Sequence, residues 1–356
     1  MLDINLSRPP AWNVLGAAWR TLEARADGSF FQSWSWVGCR AGARFADPLL
    51  LSVRRAGEVV ALGLFNRQRR LPAGSRLSLN ESGVAALDSI HVEHNGLLVA
   101  RDAPPDVLVR ALADVVRRGG RVTLSGVDAA HLAAARATGA LVRERAATTA
   151  SPWIDLAAVR ADPGGHLALV SANSRQQIRR SLRRYAAAGP LRLHRAGALA
   201  EAQDFLAALG VLHQQTWVGR GWPGAFANPE FVAFHAELLA TAWPRGEIDL
   251  LRVDAGGQVL GYLYNFVWRN RVYNYQSGFD YAAAATAHQK PGLTCHHLAA
   301  AMYAAEGLAA YDLLAGEQRY KTSLATGSAE LHWVEVMPPA SLPGLLHRVR
   351  AAFAGR

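Results

Sequence analysis

The sequence predicts a tandem α/β fold: two domains in succession, each a mixed, mostly antiparallel twisted sheet flanked by helices. Three observations lead there. The chain has 356 residues, more than one hydrophobic core comfortably serves. Hydrophobic residues make up 51% and charged residues 19%, the balance of a globular protein rather than a disordered one. Both halves read as helices, then an antiparallel meander, then a helix and a strand, a unit of roughly 150 residues. The boundary falls near residue 150, giving domains 1–150 and 151–356.

In the first half, residues 11–26 carry a helical pattern. A second helix starts at Ser33, a good N-cap, in Phe-Phe-Gln-Ser-Trp-Ser-Trp-Val. Strands at 48–54 and 58–66 meet at the tight turn Arg-Ala-Gly. Polar loop and strand segments run from Pro72 to Val99. Residues 105–118 read as helix and 121–125 as strand. Asp128 caps a helix that ends near Gly139, and a strand begins again at Trp153.

The second half repeats the plan. Residues 165–188 read as one long helix, stopped by Gly189-Pro190. A strand at 191–195 and helices at 198–217 and 228–242 follow. Strands at 248–253, 258–267 and 272–277 make the meander. Pro291-Gly292 opens a helix of about four turns that Gly307 ends. A short strand at 310–314 leads to a polar turn with Glu317, Tyr320 and Lys321.

The net charge is +10, which points to an anionic partner: nucleic acid, a phosphorylated cofactor or a membrane surface. An Arg-for-Lys habit in an Ala-rich chain also fits genomic base composition. The start has no basic region followed by an apolar run, so no signal peptide is expected. No window of about 20 residues lacks charge or His, so no membrane insertion is expected. Cys39 and Cys295 form no metal spacing. The expectation is a reduced, cytoplasmic protein. Adjacent His296 and His297 cannot share a helix face, and no metal site is expected. Neither Gly-x-Ser-x-Gly nor a phosphate-loop motif occurs.

Four stretches could carry chemistry. The start of the helix at Pro291 has unpaired amides and a positive dipole end, suited to a phosphate. Gln289, Lys290, Gly292, Leu293 and Thr294 lie there in a Q-x-x-G-x pattern. Lys290 and Lys321 are the two lysines among 38 Lys+Arg. The first half opens its corresponding helix with Ala-Pro-Pro-Asp, whose acid would repel a phosphate, so that half is expected to lack the site. Next, Arg175, Arg179 and Arg183 recur at i, i+4, i+8, with Arg180 and Arg184 beside them. No acid occurs between Asp162 and Glu201. The stretch is either a solvated face or an anion-binding one. The glycine-rich loop 213–226, with Trp217 and Trp222, is either a packed surface loop or the lining of a ligand cleft. The strand at 272–277 puts Tyr273, Tyr275 and Ser277 on one face, and Asn274 and Gln276 on the other. Its buried polar groups need partners, from the protein or from an amide-bearing ligand.

This series, meander, Gln-x-x-Gly-x at a helix start, strand, Tyr-bearing turn, resembles the GNAT (Gcn5-related N-acetyltransferase) superfamily. Ser174-Arg-Gln-Gln-Ile-Arg-Arg, Tyr275-Gln-Ser-Gly-Phe-Asp, Lys290-Pro-Gly-Leu and the segment from Tyr311 to Lys321 look like the CelD-type acetyltransferases. These are tandem-GNAT proteins often linked to exopolysaccharide or cellulose production. They are similar in plan to the Fem-type peptidoglycan aminoacyltransferases, which take the acyl group from aminoacyl-tRNA. The resemblance covers residues 150–335, and the first half in architecture only.

The resemblance implies an acyl-coenzyme A cosubstrate, with its pyrophosphate on the backbone at Gln289, Lys290, Gly292, Leu293 and Thr294, and with Gln276 on the donor side. Thr294 stands where the family pattern has Gly or Ala, a side chain expected to crowd the phosphate. The resemblance also implies Tyr320 as the acid for the leaving group and Lys321 as the equivalent of a Fem-type Lys. Glu317 and Asp312 are then the carboxylates for the amine proton. Arg175, Arg179, Arg183, Trp217, Trp222 and Tyr275 are the acceptor or anion candidates. The expected activity is acyl transfer to an amine or hydroxyl acceptor, a small molecule or saccharide, in polysaccharide or natural-product metabolism. The alternatives are aminoacyl transfer from tRNA, and a non-catalytic binding protein of the same fold.

Overall fold

The structure is a computed structural model and describes residues 1–70, 74–282, 284, 286–316 and 318–339. The chain forms two compact units. The first is Met1–Thr149 with the described residues from Glu330 onward; the second is Ala150–Ala329. The expected second domain ran to residue 356, whereas the strand residues from Glu330 belong to the first unit.

The first unit contains β1 (Leu2–Ser7), α1 (Trp12–Glu23), α2 (Trp34–Arg44), β2 (Pro48–Arg55), β3 (Glu58–Arg70), β4 (Gly74–Leu79), β5 (Leu98–Val99), α3 (Val107–Gly119), β6 (Arg121–Val127), α4 (Ala129–Ala137) and β7 (Leu141–Glu144). The second contains β8 (Thr149–Asp155), α5 (Leu156–Ala161), α6 (His166–Leu169), α7 (Ala172–Ala186), β9 (Leu191–Arg195), α8 (Leu199–Val218), α9 (Pro229–Ala242), β10 (Ile248–Ala255), β11 (Gln258–Trp268), β12 (Arg271–Phe279), α10 (Pro291–Ala305), β13 (Ala310–Asp312) and α11 (Arg319–Leu324). β14 (Gly327–Met337) then returns to the first unit.

The first sheet has the order β1-β2-β3-β4-β6-β14, with β5 on β3 and β7 on β14. The second has the order β8-β13-β12-β11-β10-β9. In each, one central pair is parallel, β4 with β6 and β12 with β13, and the other pairings are antiparallel. A parallel pair needs a crossover, and α3 and α10 supply it. The two sheets thus correspond strand for strand, as a duplicated plan requires. The sixth strand differs in origin: β8 opens the second unit, while β14 reaches the first from the far end of the chain.

Local chemistry explains the elements. The Ser33 side chain accepts from the Trp36 amide and caps α2, and Asp128 does the same for α4 through His131. Val107, Ala111, Leu112, Val115 and Val116 form the buried stripe of α3. α10 is buried on almost every side, with Cys295, Ala299, Ala300 and Tyr303 inaccessible, so it is the core helix of its unit. Gly278 leaves room for α8: a Cβ there would lie 2.4 Å from the Leu209 carbonyl oxygen.

Three local expectations change. The long helix at 165–188 is two helices, because Val170 is extended and Ser171 caps α7 anew through the Ser174 amide. Where the helix expected at 198–217 and the loop expected at 213–226 overlap, the helix holds: residues 213–218 end α8, and the glycine-rich segment follows it. Tyr320 and Lys321 stand on α11 rather than in a turn.

Candidate active site

β12 and β13 pair for three residues only, Arg271–Tyr273 against Ala310–Asp312. Beyond them β12 continues to Phe279, while the other chain turns off through Leu314 at a φ of 61°. Among the described residues no strand pairs with this side of β12 from Asn274 on. Its backbone groups there form an open edge, able to hydrogen-bond an extended amide-bearing molecule.

The start of α10 lies beside that edge. A Cβ on Gly292 would sit 3.2 Å from the Phe279 ring. Lys290 is the N-cap and supplies no side-chain cap, so the first-turn amides keep the positive end of the helix. Ser181 of α7 holds this turn in place. It accepts from the Lys290 amide at 2.9 Å and shares a hydrogen bond with the Thr294 hydroxyl at 2.8 Å. Thr294 is fully buried, turned toward α7. The expected crowding of a phosphate by its side chain therefore has no basis in its placement. Leu293 packs in the core, and Gln289 folds back to accept from the Thr286 amide.

The arginines of α7 divide into two kinds. Arg175 donates to the carbonyls of Leu167 at 2.7 Å and of Ala168 and Val170 at 3.2 Å. It closes the end of α6, which the unbroken-helix expectation could not show. Arg179, Arg180, Arg183 and Arg184 are exposed, with no ion pair to a carboxylate among the described residues. Lys290 is exposed too. Desolvation, then Arg180, Arg184 and Lys290, hold the His288 imidazole below its usual pKa. Positive charge therefore gathers around the open end of α10.

Tyr320 projects from α11 and lies flat on His296, at 5.3 Å between rings and 11° between planes. His296 is fully buried. Burial, and then the nearby Lys321 ammonium, push its pKa down to about 3, so the ring is neutral. Its Nδ1 is 2.9 Å from the Tyr311 hydroxyl. From there a buried polar chain runs through Asn265 to Tyr303 and on to Asp249. Asn274 donates to Asn265, and Ser277 to Asn274. The Asn274 and Ser277 side chains of β12 are thus satisfied by the protein. No feature of the sequence pointed to His296, Asn265 or Ser181; a polar residue in an otherwise apolar strand or helix face was the available signal.

Lys321 is buried, and its ammonium donates to the carbonyls of Leu314 and Ala315 at 3.0 and 2.8 Å. Asp312 is inaccessible, accepts from Ser151 and from the Leu314 amide, and lies 3.6 Å from Arg271. Both therefore shape the turn after β13. Glu317 lies outside the described residues. Tyr275 packs with Phe231, His235 and Phe266 in an aromatic cluster. Gln276 is half-buried on β12. The Arg220 guanidinium covers Trp217, and Trp222 is exposed. Among the described residues no group of His, Cys, Asp and Glu could hold a metal ion, and no helix is long and apolar enough to cross a membrane.

Solved structures share the fold of this chain. FemX aligns over 94% of this chain and 97% of its own, with a TM-score of 0.61 at 10% identity. The C-terminal domain of a putative lysylphosphatidylglycerol synthetase from Agrobacterium fabrum aligns over 92% of each chain, with a TM-score of 0.56 at 12% identity. L-PGS from Bacillus licheniformis aligns over 96% of each, with a TM-score of 0.55 at 12% identity. At such identities the likeness is one of fold. No curated protein matches the sequence. Residues 172–322, which hold the β12 edge, the start of α10 and the Tyr320–His296 stack, match the family model described as the acetyltransferase (GNAT) domain.

Proposed function

We propose that the second unit transfers an acyl group from acyl-coenzyme A to an amine or hydroxyl acceptor. The observation that carries this reading is the early parting of β12 and β13 beside the open start of α10. An extended donor arm would hydrogen-bond along β12, and its phosphates would meet the first-turn amides, with Lys290, Arg180 and Arg184 close by. The acceptor nitrogen attacks the acyl carbon, the C–N bond forms and the C–S bond breaks. Tyr320, held flat by His296, gives its proton to the leaving thiolate, the attacking nitrogen releases its extra proton to water, and water reprotonates the Tyr320 phenolate. Lys321 and Asp312 act through the turn they build.

A second reading is aminoacyl transfer from tRNA. The four exposed arginines of α7, unrelieved by acid, favour it because they extend the positive surface beyond what a pyrophosphate needs. Thermal melting separates the two. Ligand at 100 times its Kd adds about 2.7 kcal/mol. A shift with acetyl-coenzyme A that survives moderate salt, and that Gly292→Glu abolishes, supports the first. A salt-sensitive shift with charged tRNA alone supports the second. No shift with either favours a non-catalytic binding protein.

A further inference from the structure

α8 crosses one face of the second sheet along a single row of cross-strand neighbours. His194 on β9, Arg252 on β10, Tyr262 on β11 and Gly278 on β12 stand in register. The Phe205 ring of α8 lies 5.8 Å from His194 and 5.3 Å from Tyr262, and the Arg252 guanidinium covers it at 5.5 Å. One turn on, the Leu209 carbonyl meets Gly278. The next row toward the β10–β11 hairpin is Arg192, Asp254 and Val259. Residues two apart on a strand share a face, so Arg192 and Asp254 point the same way as His194 and Arg252. This row lies to one side of the helix and floors a concavity of about 550 Å³, which His194, Arg252 and Gly257 also line. Such a volume suits a small molecule.

The charged groups around the concavity are unmet. Asp254 is 8% exposed, and its carboxylate accepts no hydrogen bond among the described residues. The Arg252 Nε lies 3.7 Å from its Oδ2, beyond hydrogen-bond reach. The Asp254 side chain keeps 11% accessibility, and it lines the concavity. A carboxylate this buried ordinarily has donors. Arg192, directly opposite on β9, is exposed and makes no hydrogen bond or ion pair among the described residues. Arg252 makes no hydrogen bond there either, and its side chain is 36% accessible. His194 is taken: its Nε2 is 2.8 Å from Glu201, which also accepts from the Gly197 amide.

The concavity thus offers two guanidinium groups and one carboxylate side by side. A phosphate or simple carboxylate would satisfy the arginines and be repelled by Asp254. A simple amine would satisfy Asp254 and be repelled by Arg192 and Arg252. A molecule with an ammonium next to a carboxylate satisfies all three. We propose that this row binds a zwitterion of the α-amino acid class, its ammonium on Asp254 and its carboxylate on Arg192 and Arg252. The site lies on β9 and β10, with β11 between it and the β12 edge, and its occupation is independent of acyl transfer.

The test follows the Val259 methyl groups by NMR in the full chain, assigned by their loss in Val259→Ile. L-Alanine is the probe. L-Alaninamide keeps the ammonium and lacks the carboxylate; N-acetyl-L-alanine keeps the carboxylate and lacks the ammonium. Both are controls at equal ionic strength. The expected result is a saturable shift with alanine, a dissociation constant about tenfold or more below that of either control, and a rise of about tenfold or more in Arg192→Ala and in Asp254→Asn. Arg192 is exposed, so its variant removes a ligand-binding group and leaves the core intact. No saturable shift with alanine, a control that binds as well, or an unchanged constant in either variant overturns the proposal.

Discussion

Asp312 and Lys321 grip opposite sides of one residue. Asp312 accepts the Leu314 amide at 2.9 Å, and Lys321 donates to the Leu314 carbonyl at 3.0 Å. Leu314 has a φ of 61°, a left-handed conformation that a leucine adopts only under constraint. The two charges supply the constraint, and the turn they fix carries the chain from β13 toward Tyr320. Both residues therefore matter to the site as its frame.

Lys321→Met removes one grip and takes the ammonium away from the buried Leu314 carbonyl and the half-buried Ala315 carbonyl. The expected cost is about 1–3 kcal/mol of stability, read by urea denaturation. An unchanged midpoint would show that the ammonium does not hold the turn.

Tyr320→Phe keeps the ring on His296 and deletes only the hydroxyl. Stability should stay within about 0.5 kcal/mol, while release of free coenzyme A thiol should slow by about a hundredfold or more. Undiminished turnover would remove Tyr320 from the chemistry.

Ser181→Ala frees the first turn of α10 from α7. Stability should fall by about 1 kcal/mol, and the melting shift caused by acetyl-coenzyme A should shrink. A full ligand-induced shift in the variant would mean that the turn needs no anchor.

His166 and His297 stack, with their Nδ1 atoms 3.1 Å apart. The Nε2 of His166 donates to the Leu324 carbonyl at 2.8 Å, so its Nδ1 must accept from His297, and both rings are neutral. Burial depresses both, His297 to about 4 with help from His166. The unfolded chain binds protons first. The stability from this pair is therefore complete above pH 6.5 and is lost as the pH falls toward 4. His297→Gln should flatten that acid limb in a series of melts across pH; a limb of the same slope would contradict it.

Glu335, 1% exposed, lies 2.6 Å from Arg143, 3.4 Å from Arg121 and 3.6 Å from Arg76. Glu335→Ala leaves three guanidinium groups facing one another. A loss of about 3–5 kcal/mol is expected, measured through the fluorescence of the buried Trp19 and Trp36. A loss below 1 kcal/mol would show that the arginines find other partners.

Patterns within one element were legible in the sequence. Ser33 and Asp128 announced their helices, and Pro291-Gly292 announced α10, because a cap or a helix start is a local event. The break at Val170-Ser171 was hidden because the apolar residues before it and the arginine-rich run after it read as one continuous helix. Arg175 looked like its neighbours, and only the fold shows that α6 ends against it. The Tyr320–His296 stack joins residues on two helices, so no spacing encodes it. The role of Ser181 is equally silent, since a serine among arginines looks like surface. The ownership of β14 was the least readable feature, because its partners β6 and β7 lie about two hundred residues upstream.

That last arrangement has a consequence for biosynthesis. The second unit is in effect an insertion between β7 and β14 of the first. As the polypeptide leaves the ribosome, the earlier-made unit must wait, its sheet one strand short and Arg76, Arg121 and Arg143 lacking their carboxylate, until residue 337 has emerged. The later-made unit is complete by residue 329 and can close first. Maturation should therefore run inside out, and chains stopped after Ala329 should yield a protease-resistant second unit behind a degradable first.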